Sequence, residues 1–166
     1  MYKRQAIYKK IKNKYFDKLV QKIRHRYNAK LISSHNAMKE VIRDKLQGKL
    51  YSYAFLSDQS PSIAKAVYWT DFMGITVPVH IGGEILAKKL DMSVAYLQVA
   101  KVKRGYYEAK FVTITENAKN CKEFDIIKTY LRMLEEQIRS SPEYFLWTHK
   151  RWKHRNAQIP KKAIID

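Results

Sequence analysis

Short stretches of strand character take turns with longer stretches of helical periodicity, and this alternation limits the fold more than any other feature of the chain. Residues 6–8, 29–33 and 50–56 have strand character. Between them, residues 13–28 and 36–47 carry apolar side chains at helical spacing. The first helix has a stripe of Tyr15, Phe16, Leu19, Val20, Ile23 and Tyr27, with Lys and Arg filling the other face. The second has Ala37, Met38, Val41, Ile42 and Leu46, and Gly48 stops it. Residues 57–77 read as a loop, and 79–91 as a helix weakened by Gly82 and Gly83. Residues 93–102 and 106–114 read as a hairpin turning at Lys103-Arg104-Gly105. The longest helix spans 122–139, with Phe124, Ile127, Leu131, Leu134 and Ile138 along one stripe, and Pro142 ends it. Strands alternating with helices predict an α/β fold: a layered mixed sheet flanked by helices, with an antiparallel element late in the chain. The sheet is expected to include 50–56 together with the 93–102/106–114 pair.

A length of 166 residues without repeats or a Gly/Ser linker predicts one α/β domain over residues 6–155. Residues 1–5 read as a start foreign to that domain, and 156–166 as a basic tail. A single thiol, Cys121, rules out a disulfide framework and a Cys-rich zinc site. No run approaches the ~18 apolar residues of a membrane-spanning helix.

The net charge of +18 calls for anionic partners. Residues 1–50 hold 15 basic and 3 acidic side chains, 51–100 hold 3 and 4, and 101–166 hold 15 and 8. The middle is neutral and apolar like a core, so the charge lies on the two flanks.

Few constellations carry chemistry. Asp58 follows an apolar strand and opens the polar loop Asp58-Gln59-Ser60-Pro61. Carboxyl ends of strands in open α/β sheets face ligand crevices, although an Asx-turn or helix cap would use the same residue. His35 and Glu40 have His-x4-Glu spacing, in which a carboxylate can orient a general base. Within one continuous helix five residues turn through about 500°, so the pair converges only at a loop-to-helix junction. Arg24 and Arg26 could hold a phosphate through paired N–H groups. Near the end, Trp147-Thr-His-Lys-Arg-Trp-Lys153 interleaves aromatics with cations, which suits a lipid headgroup region or stacked bases. The bland reading of that segment is a solvated end whose tryptophans pack on the core. There is no phosphate-cradling G-x4-G-K loop, no G-x-S-x-G elbow and no metal-ligand spacing.

Several of these segments resemble, in order, the late acyltransferases of lipid A biosynthesis, the lauroyl/myristoyl transferase family. Tyr8-Lys-Lys-Ile-Lys-Asn-Lys-Tyr-Phe-Asp17 resembles its Tyr-Lys/Arg-Pro-x-x-Asn-x-x-x-Asp segment, with Lys10 in the place of the proline. Arg24-His-Arg26 resembles its Arg-x-Arg, and Asp58-Gln-Ser-Pro61 its Asp-Gln-x-Pro. Trp69-Thr-Asp-Phe72 is similar to the stretch leading to its Phe-x-Gly, and Arg104-Gly-Tyr-Tyr-Glu108 to its late hairpin. Pro142-Glu-Tyr-Phe-Leu-Trp-Thr-His-Lys-Arg-Trp-Lys153 resembles its closing Pro-Glu-x-x-Leu-Trp-x-His-Arg-Arg-x-Lys. The wording looks most like the Bacteroidetes branch.

The resemblance implies the C-terminal half of the glycerolipid/lipid A acyltransferase fold. It implies transfer of an acyl chain from acyl carrier protein to a hydroxyl of a phosphorylated lipid A precursor, with the acyl-carrier thioester as co-substrate and no other cofactor. The place would be the cytoplasmic face of a Gram-negative inner membrane, with this form peripheral on the anionic membrane surface. The family's catalytic His-x4-Asp/Glu precedes the Tyr-Lys segment. The chain therefore reads as a fragment, catalytically incomplete alone, and His35 with Glu40 is the only look-alike dyad. Arg24, Arg26, Asp58 and Gln59 would support the site. Lys9, Arg104, His149, Lys150, Arg151 and Lys153 would meet anionic lipid or carrier. A small basic nucleic-acid-binding module is the alternative that the charge allows, though no RNP signature, helix-turn-helix or zinc finger supports it.

Overall fold

The computed structural model describes residues 3–26 and 29–166. The expected helix end at 27–28, with Tyr27 of the first stripe, and the first two residues lie outside them. Among the described residues the architecture is α/β, with four α-helices and several small sheets. It divides into two compact units, Met1–Leu56 and Ser57–Asp166, and each is described by itself. The division after Leu56 falls inside the span 6–155.

The first unit alternates strand and helix: β1 (Lys3–Tyr8), α1 (Lys14–His25), β2 (Lys30–Ser33), α2 (Ala37–Leu46) and β3 (Tyr51–Ala54). Its three strands are parallel in the order β2-β1-β3, so β1 is central. Asn13 starts α1 by accepting hydrogen bonds from the backbone N–H groups of Tyr15 and Phe16 at 3.0 and 3.1 Å. Gly48 ends α2 with a positive φ of 66°, which a glycine adopts without strain. Behind the sheet lies a polar knot. The buried Asp44 carboxylate accepts from Gln5 Nε2 and from the Tyr53 hydroxyl, both at 3.1 Å. Burial first, and then the Asp44 charge, push the Tyr53 phenol above its ordinary range.

The stripe of α1 does not form a core: Tyr15, Phe16, Leu19 and Ile23 are all exposed, and the buried residue of the helix is Asp17.

The second unit holds β4 (Tyr68–Phe72), β5 (Ile75–Pro78), α3 (Gly82–Leu90), β6 (Val94–Lys103), β7 (Tyr106–Thr115), α4 (Asp125–Ser140) and β8 (Ile164–Ile165). The span expected to be loop up to residue 77 thus contains an antiparallel pair, β4 with β5. Its two-residue turn is Met73-Gly74, at φ of 56° and 79°, the positive pair that a tight hairpin of type I′ requires. Packed on this pair is α4. Ile127, Leu131, Leu134 and Ile138 meet Tyr68, Phe72, Val77 and Val79 in one core cluster. Each such buried side chain contributes roughly 1.5–3 kcal/mol.

The hairpin β6-β7 forms as expected, with Gly105 at φ 80° in its turn. It is a two-stranded sheet of its own and, among the described residues, shares no strand with the sheet containing β3, so the single layered sheet expected from the alternation is replaced there by three small ones. Nor are residues 156–166 a free tail. β8 pairs in parallel with β4, and the Tyr68 hydroxyl donates to Asp166 Oδ2 at 2.9 Å while Lys128 pairs with the same oxygen. Burial is the main reason the Tyr68 phenol is pushed up to about 12.

Candidate functional site

The second unit brings the loop at residues 57–61 against the closing segment at 147–156. That segment is a succession of tight turns, with backbone bonds from His149 to Leu146, Lys153 to Lys150 and Arg155 to Trp152 at 3.0–3.2 Å. Within these turns Arg151 is buried and Trp152 half-buried, while Lys150 and Lys153 are exposed. Trp152 stacks on Phe72 with ring centroids 5.7 Å apart, and its indole N–H donates to the Phe72 carbonyl at 3.3 Å.

Arg151 fixes the geometry. Its relative exposure is 0%, which places a guanidinium at the centre of the unit. Its Nη1 donates to Ser60 Oγ and to the Pro78 carbonyl, both at 3.0 Å, and its plane lies 5.0 Å over the Phe72 ring. Ser60 Oγ in turn donates to the Arg151 carbonyl at 2.6 Å. Two residues earlier in the turn, His149 Nε2 accepts the Ser60 backbone N–H at 3.0 Å. That bond requires the neutral tautomer protonated on Nδ1. Three contacts from 149 and 151 therefore pin Ser60, and with it Asp58 and Gln59 just before. Arg151, expected among the surface cations, is thus a buried bracket. Its Nε and Nη2 are buried without a hydrogen-bond partner among the described residues.

Asp58 is half-buried, and its charge reaches His80, Tyr96, Tyr130, His149 and Arg151. Burial lowers the Arg151 guanidinium to about 10, against the attraction of Tyr130 and Asp58, so it remains a cation at neutral pH. Desolvation lowers both His80 and His149; Arg151 adds to it at His80, and Lys153 then Arg151 at His149, while Asp58 opposes it in both. Burial raises the phenols of Tyr96 and Tyr130. Two neutral histidines, two neutral phenols, one carboxylate and one buried cation thus converge. The Tyr96 hydroxyl is held by Gln137 at 2.7 Å, and the Tyr96 ring meets Tyr130 edge-on at 5.6 Å. Beside the bracket an open groove of about 460 Å3 is lined by Trp147, His149, Lys150, Trp152, Lys153 and others.

Because the His149 pKa is depressed in the folded chain, its protonation opposes folding. The stability this neutral histidine gives is complete above the ordinary value of 6.5 and is lost as pH falls through the lowered value. The melting temperature should therefore fall as pH drops below 6.5. The His149→Gln variant should melt lower at neutral pH and show a shallower slope over that window. An unchanged slope would mean that the Ser60 bond does not govern it.

The remaining expected residues belong to both units. Gln59, Lys150 and Lys153 are exposed beside the bracket, and Arg104 is exposed at the tip of the β6-β7 ribbon. Lys9, Arg24 and Arg26 are exposed in the first unit. His35 is exposed in the turn before α2, and no hydrogen bond joins it to Glu40 among the described residues. The Glu40 carboxylate is taken by Lys30 Nζ at 2.8 Å and Arg43 Nη2 at 2.7 Å. Those partners, the Lys30 hydrogen bond first, hold its pKa below the usual value. No group of three His, Cys, Asp or Glu that could hold a metal occurs among the described residues.

Sequence reasoning missed Ser60, His80, Tyr96 and Tyr130. His80 stands two residues beyond β5, a strand that lies in the span the sequence predicts as loop up to residue 77. Tyr130 lies one residue off the stripe of α4.

With this geometry in view, the family comparison is decisive: the profile described as bacterial lipid A biosynthesis acyltransferase matches residues 1–154. The chain belongs to this family. A search of curated proteins finds no match. For a member of the lipid A acyltransferases the chemistry is acyl transfer, and a lipid A precursor is the substrate that membership implies. The matched span contains both the 57–61 loop and the bracket at 149–151 that holds it. No described helix is long and apolar enough to cross a membrane.

Proposed function

We propose that this chain supplies the part of a lipid A acyltransferase site that holds the acceptor and steadies the reacting groups. The acyl group passes from the thioester of an acyl carrier protein to a hydroxyl of a phosphorylated lipid A precursor. The reaction takes place at the cytoplasmic face of a Gram-negative inner membrane, and the chain is held there peripherally. The acyl-carrier thioester is the co-substrate, and no further cofactor takes part. The observation that carries this reading is the clamp of Arg151 and His149 on Ser60, which fixes the Asp58-Gln59 loop within a matched family span.

Two chemical roles follow. Asp58 is an acceptor-only carboxylate beside neutral histidines, suited to orienting a donor group such as a sugar hydroxyl or amide. The outward cations around it, Lys150 and Lys153, suit phosphate and the acidic carrier. The proton of the attacking hydroxyl needs a general base, which the Glu40-less His35 does not provide. The base comes from the His-x4-Asp/Glu that the family resemblance implies.

Asp58→Ala, made in a family enzyme or chimera that carries the dyad, should lower turnover about 100-fold, the scale of lost positioning. Its melting temperature should move by no more than a few degrees, because Asp58 makes no hydrogen bond in the clamp itself. Parallel losses of turnover and melting temperature would reduce Asp58 to a turn residue.

A further inference from the structure

Helix α1 is built inside out. Asp17 and Gln21, one turn apart on its polar side, attach it to its own unit. Asp17 Oδ1 accepts the Ile11 backbone N–H at 2.9 Å, and Gln21 Nε2 donates to Asp17 Oδ2 at 2.6 Å and to the Tyr8 hydroxyl at 3.1 Å. Asp17 is 3% exposed. On the opposite side of the helix, Tyr15, Leu19 and Ile23 repeat every four residues with Phe16 beside them, and Tyr15 is 87% exposed. Packing a polar side inward and an apolar stripe outward reverses the arrangement of a globular surface helix.

The charges around the stripe say what covers it. Lys14, Lys18, Lys22, Arg24 and Arg26 are exposed on or at the end of this helix, and Asp17, turned inward, is its only acidic residue. An outward surface of apolar side chains bordered by cations alone matches an anionic bilayer interface, with Lys and Arg stems reaching back to the headgroups. An acidic carrier protein would satisfy the cations and leave a stripe about 12 Å long, Tyr15 to Ile23, without a function.

We propose that α1 lies in the plane of an anionic membrane surface, with Tyr15, Phe16, Leu19 and Ile23 in the headgroup–acyl boundary. This rests on the reading of the chain as a membrane-surface acyltransferase and names the element that makes the contact. It differs from binding by the basic flanks, because the apolar stripe and the cations act together.

The test is co-sedimentation of the full chain with phosphatidylcholine vesicles with and without about 30% phosphatidylglycerol. The parent, Leu19→Ser/Ile23→Ser and Lys18→Gln/Lys22→Gln are compared, with thermal melts and sedimentation velocity on each. The parent should prefer the anionic vesicles, and each double variant should bind them at least about tenfold more weakly. Neither variant should change the melting temperature or the oligomeric state. In Phe16→Trp, brominated acyl chains should quench emission beyond the quenching of the parent's own tryptophans. If the parent binds and the serine variant binds equally well, contact is electrostatic only, and the inference falls while the membrane reading stands. If the serine variant melts lower or dissociates an oligomer, the stripe is a packing face and the inference falls. If it loses binding to an acyl carrier protein with vesicle binding intact, the partner is the carrier and the inference falls. A parent that ignores anionic vesicles removes both this inference and the membrane placement, whereas the acyl-transfer reading is judged separately by turnover of the dyad-bearing chimera.

Discussion

Arg151→Ala should destabilise the 57–166 unit by about 3–5 kcal/mol, the range for breaking a buried charged network together with the cavity it leaves. The substitution removes the donor to Ser60 Oγ and to the Pro78 carbonyl, and it strips the Phe72 ring of its covering cation. It also leaves Pro78 O buried without this donor. Arg151→Lys should recover only part of the loss. A lysine keeps the charge but cannot place one planar fork between two acceptors and over a ring. Urea denaturation of the three proteins, followed by tryptophan fluorescence, measures the order. Limited proteolysis should find the 57–61 loop cut first in Arg151→Ala. A variant that is as stable as the parent would show that the guanidinium is a buried burden balanced elsewhere, and the clamp would then lose its claim on Asp58.

The same residue shows where sequence reading stops. Lys150, Arg151 and Lys153 look alike in the sequence, three cations within four positions. What separates them is Ser60, 91 positions away, and Pro78, 73 away. No local pattern encodes those partners. Local patterns served well where the decision was local. The stripe on α4 was legible because four of its five expected residues do form the core, and α1 and α2 are bounded locally, by the side-chain cap of Asn13 and the positive φ of Gly48. They failed at β4 and β5. Tyr68, Trp69, Thr70 and Phe72 are all buried, so the strand shows no alternation, and the Ser-Pro sequence before it suggested a loop. On α1 periodicity located the apolar side correctly but carried no information about what lies against it. The family segments around Asp58 and the closing turn were legible as motifs. Their joining through Ser60 was not.

These 166 residues alone should transfer no acyl group. Transfer to a hydroxyl needs a base positioned to take the proton, and donors aimed at the developing oxyanion. The His-x4-acid spacing at His35 and Glu40 provides the residue types without the geometry. Glu40 is engaged by Lys30 and Arg43, its carboxylate is stabilised as an anion by both, and His35 faces solvent without its orienting partner. His149 is a poor substitute, since its Nε2 lone pair is already occupied by the Ser60 N–H. Loss of general-base assistance is worth about 10²–10⁴ in rate, enough to take a transferase below detection in an ordinary assay. Purified chain incubated with acyl-acyl carrier protein and a phosphorylated lipid A precursor should give no acylated product. A chimera in which a homologous His-x4-Asp/Glu half is joined to it should give product, and that product should vanish with Asp58→Ala. His35→Ala should leave the chimera unaffected. Activity of the chain by itself, abolished by His35→Ala, would make His35 and Glu40 the working dyad and would require Glu40 to leave its two cations during the reaction.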